Sequence, residues 1–346
     1  MKPAKRSEIP RNSMAFSFWS FIWSKFKGRI LETFGLFIFG ILLIFILFQF
    51  TDFRKVVSLI SSSPARADFS LFIFLALYFI FKFIFEWFLI SRLKLQVALK
   101  KIILLFGLAE LTRELPTIPI LMGLTVVSRK AREFFPPKLF SVLILQMPLE
   151  FTVCFLILAV FGFANFGFLR PLALLGALVI FGFLIFLKRF PIPTFLQKGK
   201  IGGKIFRGLL EFKEGVGEVF SFWNLTLSYV LAFGYFLSLG TVLFFVSRAC
   251  GFEGITLTDA WSVFAINYVV SVLIPVPGDW GISETSGFFL LLALGGSRET
   301  ALASILTFRI LYSAVTWVFS GVTFWLFWRE IHRFFVGLVK SRRSKR

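Results

Sequence analysis

Long apolar runs alternate with short polar stretches along almost the whole chain. Six of them, at about 30–50, 69–91, 139–162, 169–187, 224–247 and 300–328, come close to or exceed the length of a membrane-crossing helix. Such a helix takes roughly 20 apolar residues at ~1.5 Å rise each. Two further regions are apolar but interrupted. Ile102 to Val127 is broken by Arg113-Glu114-Leu115-Pro116-Thr117-Ile118-Pro119, and Thr258 to Leu294 by Pro275-Val276-Pro277-Gly278-Asp279-Trp280-Gly281-Ile282-Ser283-Glu284. The runs flanking the second break, Thr258 to Ile274 and Ile282 to Leu294, are each short for a span. Its prolines and glycines stop a helix, and its acids do not belong in hydrocarbon. Non-helical backbone at membrane depth persists only where protein or a watery cavity satisfies it. The pattern therefore predicts an all-α, polytopic membrane helix bundle with six full spans plus two oppositely oriented broken (re-entrant) hairpins. The second break is its candidate site.

Composition narrows the chemistry. The 346 residues have a mean hydropathy of +0.86 and include 52 Phe, which leaves no room for a large soluble domain. A single histidine, His332, stands near the end of the sequence, so no Ser-His or Cys-His unit can form inside the membrane. Cys154 lies in an apolar run and Cys250 in a short loop, a pattern that points to neither a disulfide framework nor a zinc site. No metal and no cofactor are expected. No Walker-type phosphate loop is present, so ATP is not the expected energy source.

The net charge of +20 would suit nucleic acid, but its distribution points to a membrane surface instead. With both termini placed in the cytoplasm, 29 of the 38 Lys and Arg fall in the segments 1–29, 91–101, 129–138, 188–213 and 329–346, against six in the outer loops. The domains read as a basic interfacial segment (1–29), a transmembrane domain (30–328) and a basic cytoplasmic tail (329–346), in the cell (inner or plasma) membrane. The first long run, Ile30 to Phe50, is too long for a signal-peptide core. Two broken hairpins of opposite orientation are what an inverted repeat produces, and transporters built that way bind near the midplane. Two stretches read as interfacial: the aromatic and basic residues from Phe18 to Arg29, and the amphipathic pattern from Gly199 to Phe222.

Charges within apolar segments cost roughly 2.5–3.5 kcal/mol each at a helix centre, so each needs a reason. Lys82 and Glu86 stand four apart and can neutralise each other, or can meet a substrate. Glu110, Arg113 and Glu114 cluster before Pro116. Glu150 follows Pro148 with no partner close in sequence and reads as a polar interior position. Arg309 lies about ten residues into the last run and Glu284 opens the second half-helix, so the two are expected to pair. That pair either locks helices together or meets an anion. Asp279 either caps the half-helix or contacts ligand. The amides from Trp280 to Ser283 suit a phosphate or carboxylate, and Arg309 would add donors for the same anion.

At these residues the chain resembles the transmembrane region of the lysylphosphatidylglycerol synthase family, flippase-like integral membrane proteins. The resemblance rests on Pro275, Pro277, Gly278, Gly281 and Glu284 as a Pro-x-Pro-Gly-x-x-Gly-x-x-Glu signature, followed by Gly295, Arg309 and Tyr312. Glu110 and Arg113 match a second family element, with Ala109 in place of its glycine. The resemblance implies an eight-helix-type domain over about 30–328 that handles polar-headgroup lipids. It also implies that Glu284, Arg309, Tyr312, Asp279, Pro275, Pro277, Gly278, Gly281, Glu110 and Arg113 contact substrate. The partners implied are membrane lipids: an anionic or aminoacylated phospholipid, or a lipid-linked sugar. A homo-oligomer is compatible with this reading, and nucleic acid is not a partner. The function expected is lipid translocase-like, and transport rather than catalysis. A membrane-embedded transferase acting on a polyprenyl- or glycolipid substrate is one alternative, but the sequence has no Asp-x-Asp. A non-catalytic scaffold using the basic tail is another.

Overall fold

The computed structural model describes residues 35, 38–66, 69–93, 102–103, 106–107, 110, 137–162, 169–189, 210, 213–274 and 279–328. Among these residues the regular structure is helical and includes no strand. Its elements are α1 (Ile38–Gln49), α2 (Phe53–Arg66), α3 (Ser70–Arg92), α4 (Pro137–Phe161), α5 (Leu169–Arg189), α6 (Phe222–Ala249), α7 (Leu257–Leu273), α8 (Ile282–Ala293) and α9 (Arg298–Leu326). Residues 213–219 add a short helical stretch. Within α3, α6 and α9, the segments Ser70–Arg92, Phe222–Ala249 and Arg298–Thr323 are long and apolar enough to cross a membrane. The strongly apolar parts of α1, α4, α5, α7 and α8 are shorter.

Helix α6 is the hub, packed against α3, α4, α7 and α9. Small residues set those approaches, as they do between membrane helices, where lipid offers no hydrophobic drive to pack. A Cβ on Gly240 would lie 2.8 Å from Trp261 Cδ1, so only glycine lets α7 lie this close to α6. The Trp261 indole N–H then donates to Leu237 O at 3.1 Å and Thr241 Oγ1 at 3.0 Å, pinning the two helices. From α7, Ser262 donates to Phe161 O at 3.1 Å, tying in the end of α4. Helix starts are capped as the sequence dictates. Thr256 and Asp259 form a capping box on α7, and Ser297 accepts the Thr300 N–H on α9.

The outward faces are apolar. Leu172, Leu175, Leu178 and Val179 on α5, with Trp317, Val318 and Val322 on α9, are all exposed. A soluble protein does not leave such a surface bare, whereas hydrocarbon covers it at no cost.

One element departs from expectation. Residues 51–68 read as an outer loop, yet 53–66 form α2, lying against α9 and α6. Asp52 accepts the Arg54 and Lys55 N–H groups at 3.0 and 3.3 Å and starts the helix. Val56 and Ser63 are buried, while Phe53 and Val57 stay exposed. The three- and four-residue spacing of Val56, Leu59, Ile60 and Ser63 is a helical face, diluted in the sequence by three serines and a proline. The 1–29 segment, most of Ile102–Val127, residues 199–209 and 211–212 of the Gly199–Phe222 pattern, and the 329–346 tail lie outside the described residues.

Candidate functional site

The second break stands where the apolar pattern puts it. Helix α7 ends at Leu273, and Ile274 turns to extended backbone at φ −108°, ψ 102°. Asp279 takes φ +56°, uncommon for a residue with a Cβ, and Gly281 takes φ +81° just before α8. Pro275, Pro277 and Gly278 lie outside the described residues. The turn is not a loop in solvent. A Cβ on Gly281 would fall 2.2 Å from Gly40 O, and one on Gly40 would fall 2.1 Å from Trp280 O, so the backbone of α1 rests directly on the turn. Glycine serves at 281 twice, for its positive φ and for this contact.

Glu284, fully buried, reaches back to accept the Gly281 N–H at 2.6 Å. That carboxylate caps α8, so one of the amides expected to be open to an anion is already taken. The other carboxylate oxygen faces Arg309 Nε of α9 at 3.4 Å. The expected pair is therefore present, at a distance longer than the ~2.7–2.9 Å of a tight charge-assisted hydrogen bond. The guanidinium lies 5.1 Å from the centre of the Trp280 ring, within cation–π range.

Arg309 borders a cavity of about 60 Å³, shared with Asp279, Ser283, Asn267 and Ser271. By a measure in which one water fills ~10–15 Å³, it admits a few waters or a phosphate-sized group. Tyr78, Tyr235, Tyr268 and Tyr312 also line it, four of the five tyrosines in the chain. Their hydroxyls are engaged. Tyr78 and Tyr312 hydroxyls lie 3.1 Å apart, and Tyr312 donates to Glu110 at 3.3 Å. Tyr235 donates to Glu150 at 2.5 Å, and Tyr268 donates to the other oxygen of the same carboxylate.

Glu150 is the centre of a second charged group. Lys82, fully buried, approaches it at 2.5 Å, and Gln146 donates to it at 2.8 Å. The local pair the sequence points to, Lys82 with Glu86, is looser at 3.8 Å. The Lys82 ammonium also lies 4.6 Å from the centre of the Tyr235 ring. This node ties α3, α4, α6 and α7 together immediately behind the cavity wall.

The structure thus brings Glu284, Arg309, Asp279, Gly281, Tyr312 and Glu110 to one neighbourhood. Arg113, expected beside Glu110, lies outside the described residues. Sequence reasoning passed over Gly40, Tyr78, Tyr235 and Tyr268. A signal for these tyrosines existed: where 52 Phe serve the apolar aromatic need, a Tyr in an apolar run points to a used hydroxyl.

A helix bundle with hydrocarbon-suited faces defines an integral membrane protein, and a charged, tyrosine-walled cavity lies at the break between two of its helices. The chain belongs to the lysylphosphatidylglycerol synthase TM region family, whose family model matches residues 125–320. The matched stretch carries Glu150, Tyr235, Tyr268, Asp279, Glu284, Arg309 and Tyr312, and starts after Glu110. No curated protein and no solved structure matches the chain.

Proposed function

We propose that this protein moves a polar-headgroup lipid across the bilayer, the headgroup passing through the Arg309 cavity while its acyl chains remain in hydrocarbon. In this reading the six apolar runs are full spans, and the two broken elements enter the membrane from opposite faces. Both termini then lie in the cytoplasm of a cell bounded by the membrane the protein serves. Pro275, Pro277 and Gly278 hold the break open, and Glu110 with Arg113 forms the cytoplasmic end of the route. The headgroup phosphate sits against Arg309. Asp279 and the ring faces of the tyrosines favour any cationic part of the headgroup.

The observation that carries the reading is a polar cavity beside a broken helix pair, lined by Arg309, which the buried Glu284 faces from behind the wall, within an apolar bundle. Ionisable groups inside a membrane are expensive, and they gather where substrates or ions pass. The family name places the chain in a lipid context. The test is lipid movement in proteoliposomes, read from reduction of a headgroup-labelled phosphatidylglycerol by an impermeant reagent. Arg309→Ala should slow it at least tenfold. Movement at the wild-type rate, in protein that elutes and melts normally, would remove the proposal.

A further inference from the structure

We infer that the site takes up one proton for each anionic headgroup it binds, and that the Glu284 carboxylate receives it. The inference rests on the proposal that Arg309 meets the headgroup phosphate. Glu284 has two partners in view: the Gly281 N–H at 2.6 Å and Arg309 Nε at 3.4 Å. The long ion-pair distance and the position of Arg309 on the cavity wall let the guanidinium turn toward a phosphate. Once it does, Glu284 keeps a single amide donor and stands, fully buried, beside a second negative group. An uncompensated carboxylate in such a place is costly enough that a proton from cavity water binds it instead. The new O–H bond forms on the oxygen that faced Arg309. The amide contact to the other oxygen survives, so α8 keeps its cap.

The surrounding groups leave Glu284 as the acceptor. From α9 it faces Arg309, with Tyr312 on the same cavity. From α7 the cavity receives Tyr268, whose hydroxyl donates to Glu150. The turn supplies Asp279, a second carboxylate on the cavity wall, whose charge makes an additional anion still less welcome. The α1 residues 38–49 that cover the turn carry no ionisable side chain. Of the two carboxylates at the break, Glu284 is fully buried and faces Arg309, whereas Asp279 is half-buried on the cavity wall.

Linkage gives the sign. A reaction that takes up a proton weakens as protons become scarce, so the association constant falls by up to tenfold per pH unit as pH rises. The experiment is calorimetric binding of dihexanoyl-phosphatidylglycerol to the purified protein in detergent, in buffers of different ionisation enthalpy. The probe is a phosphodiester, a monoanion throughout the range, so any proton taken up enters the protein. Wild type should take up about one proton per ligand. Glu284→Gln should take up close to none and bind with a flat pH dependence. Glutamine still accepts the Gly281 N–H, so the fold should hold, and an unchanged elution profile and unfolding midpoint verify it. Wild-type binding without proton uptake overturns the inference and leaves the proposed function standing. Uptake that persists in Glu284→Gln overturns the assignment to Glu284. Failure of the wild type to bind the probe removes both readings.

Discussion

Replacing Lys82 with methionine tests the charged node behind the cavity. The ammonium is fully buried, 2.5 Å from Glu150 and 3.8 Å from Glu86. Methionine keeps the length of the side chain and removes its charge. Glu150 would keep Tyr235, Tyr268 and Gln146 as donors but lose its counter-ion, with Glu86 a second carboxylate nearby. Breaking a buried pair from one side costs about 3–5 kcal/mol, because a charge is left uncompensated in a low dielectric. Glu150→Gln should cost less, because the ammonium keeps Glu86 at 3.8 Å as a counter-ion. The double variant Lys82→Met/Glu150→Gln leaves neither charge of the pair. It should lie at least ~2 kcal/mol closer to wild type than the sum of the single changes. Reversible unfolding in mixed micelles of increasing SDS content gives all three values. A coupling below about 0.5 kcal/mol, the range of independent sites, would mean that Lys82 and Glu150 are not partners and would refute the argument.

Two other outcomes follow from the geometry. Gly40→Ala puts a Cβ about where Trp280 O now lies, 2.1 Å from it, so α1 must withdraw from the turn. Lipid movement should drop severalfold, while the same change at Gly35, where a Cβ meets nothing within 4 Å, should leave it unchanged. Tyr268→Phe removes a donor from Glu150 and should lower stability by about 1.5–3 kcal/mol, the usual range for a hydrogen bond to a charged group. The matching change at Tyr229, outside the cavity lining, should cost less than half as much in the same unfolding assay.

Much of the helical pattern was legible because long apolar runs admit few other readings. The elements α3 to α9 lie within two residues of the runs that announced them. The Glu284–Arg309 pair was also legible, since each residue is an unneighboured charge in an apolar segment and the two pair only with each other's help. Lys82 with Glu150 was not, because they are 68 positions apart and Lys82 has a nearer candidate in Glu86. Local spacing ranks the i, i+4 neighbour first, whereas packing of α3 against α4 brings the distant carboxylate closer. Gly40 was hidden for a different reason: a glycine in an apolar run gives no sign of what will lie against it. Helix α2 was overlooked because serines and Pro64 mask a one-sided apolar face.

The contact between Gly40 and the turn at 280–281 bears on where this machine can be cut. Sequence kinship is recognised from residue 125 onward, yet residue 40 lies directly against the turn at 280–281, residue 78 lines the cleft and residue 82 stands behind it. A fragment trimmed to the recognisable portion would present its unwound corner directly to lipid tails, with nothing to cover the naked main chain. Expression of that portion alone should give material that inserts but loses its shape, and the amino-terminal third must be supplied, in one piece or as a separate polypeptide, for the corner to close.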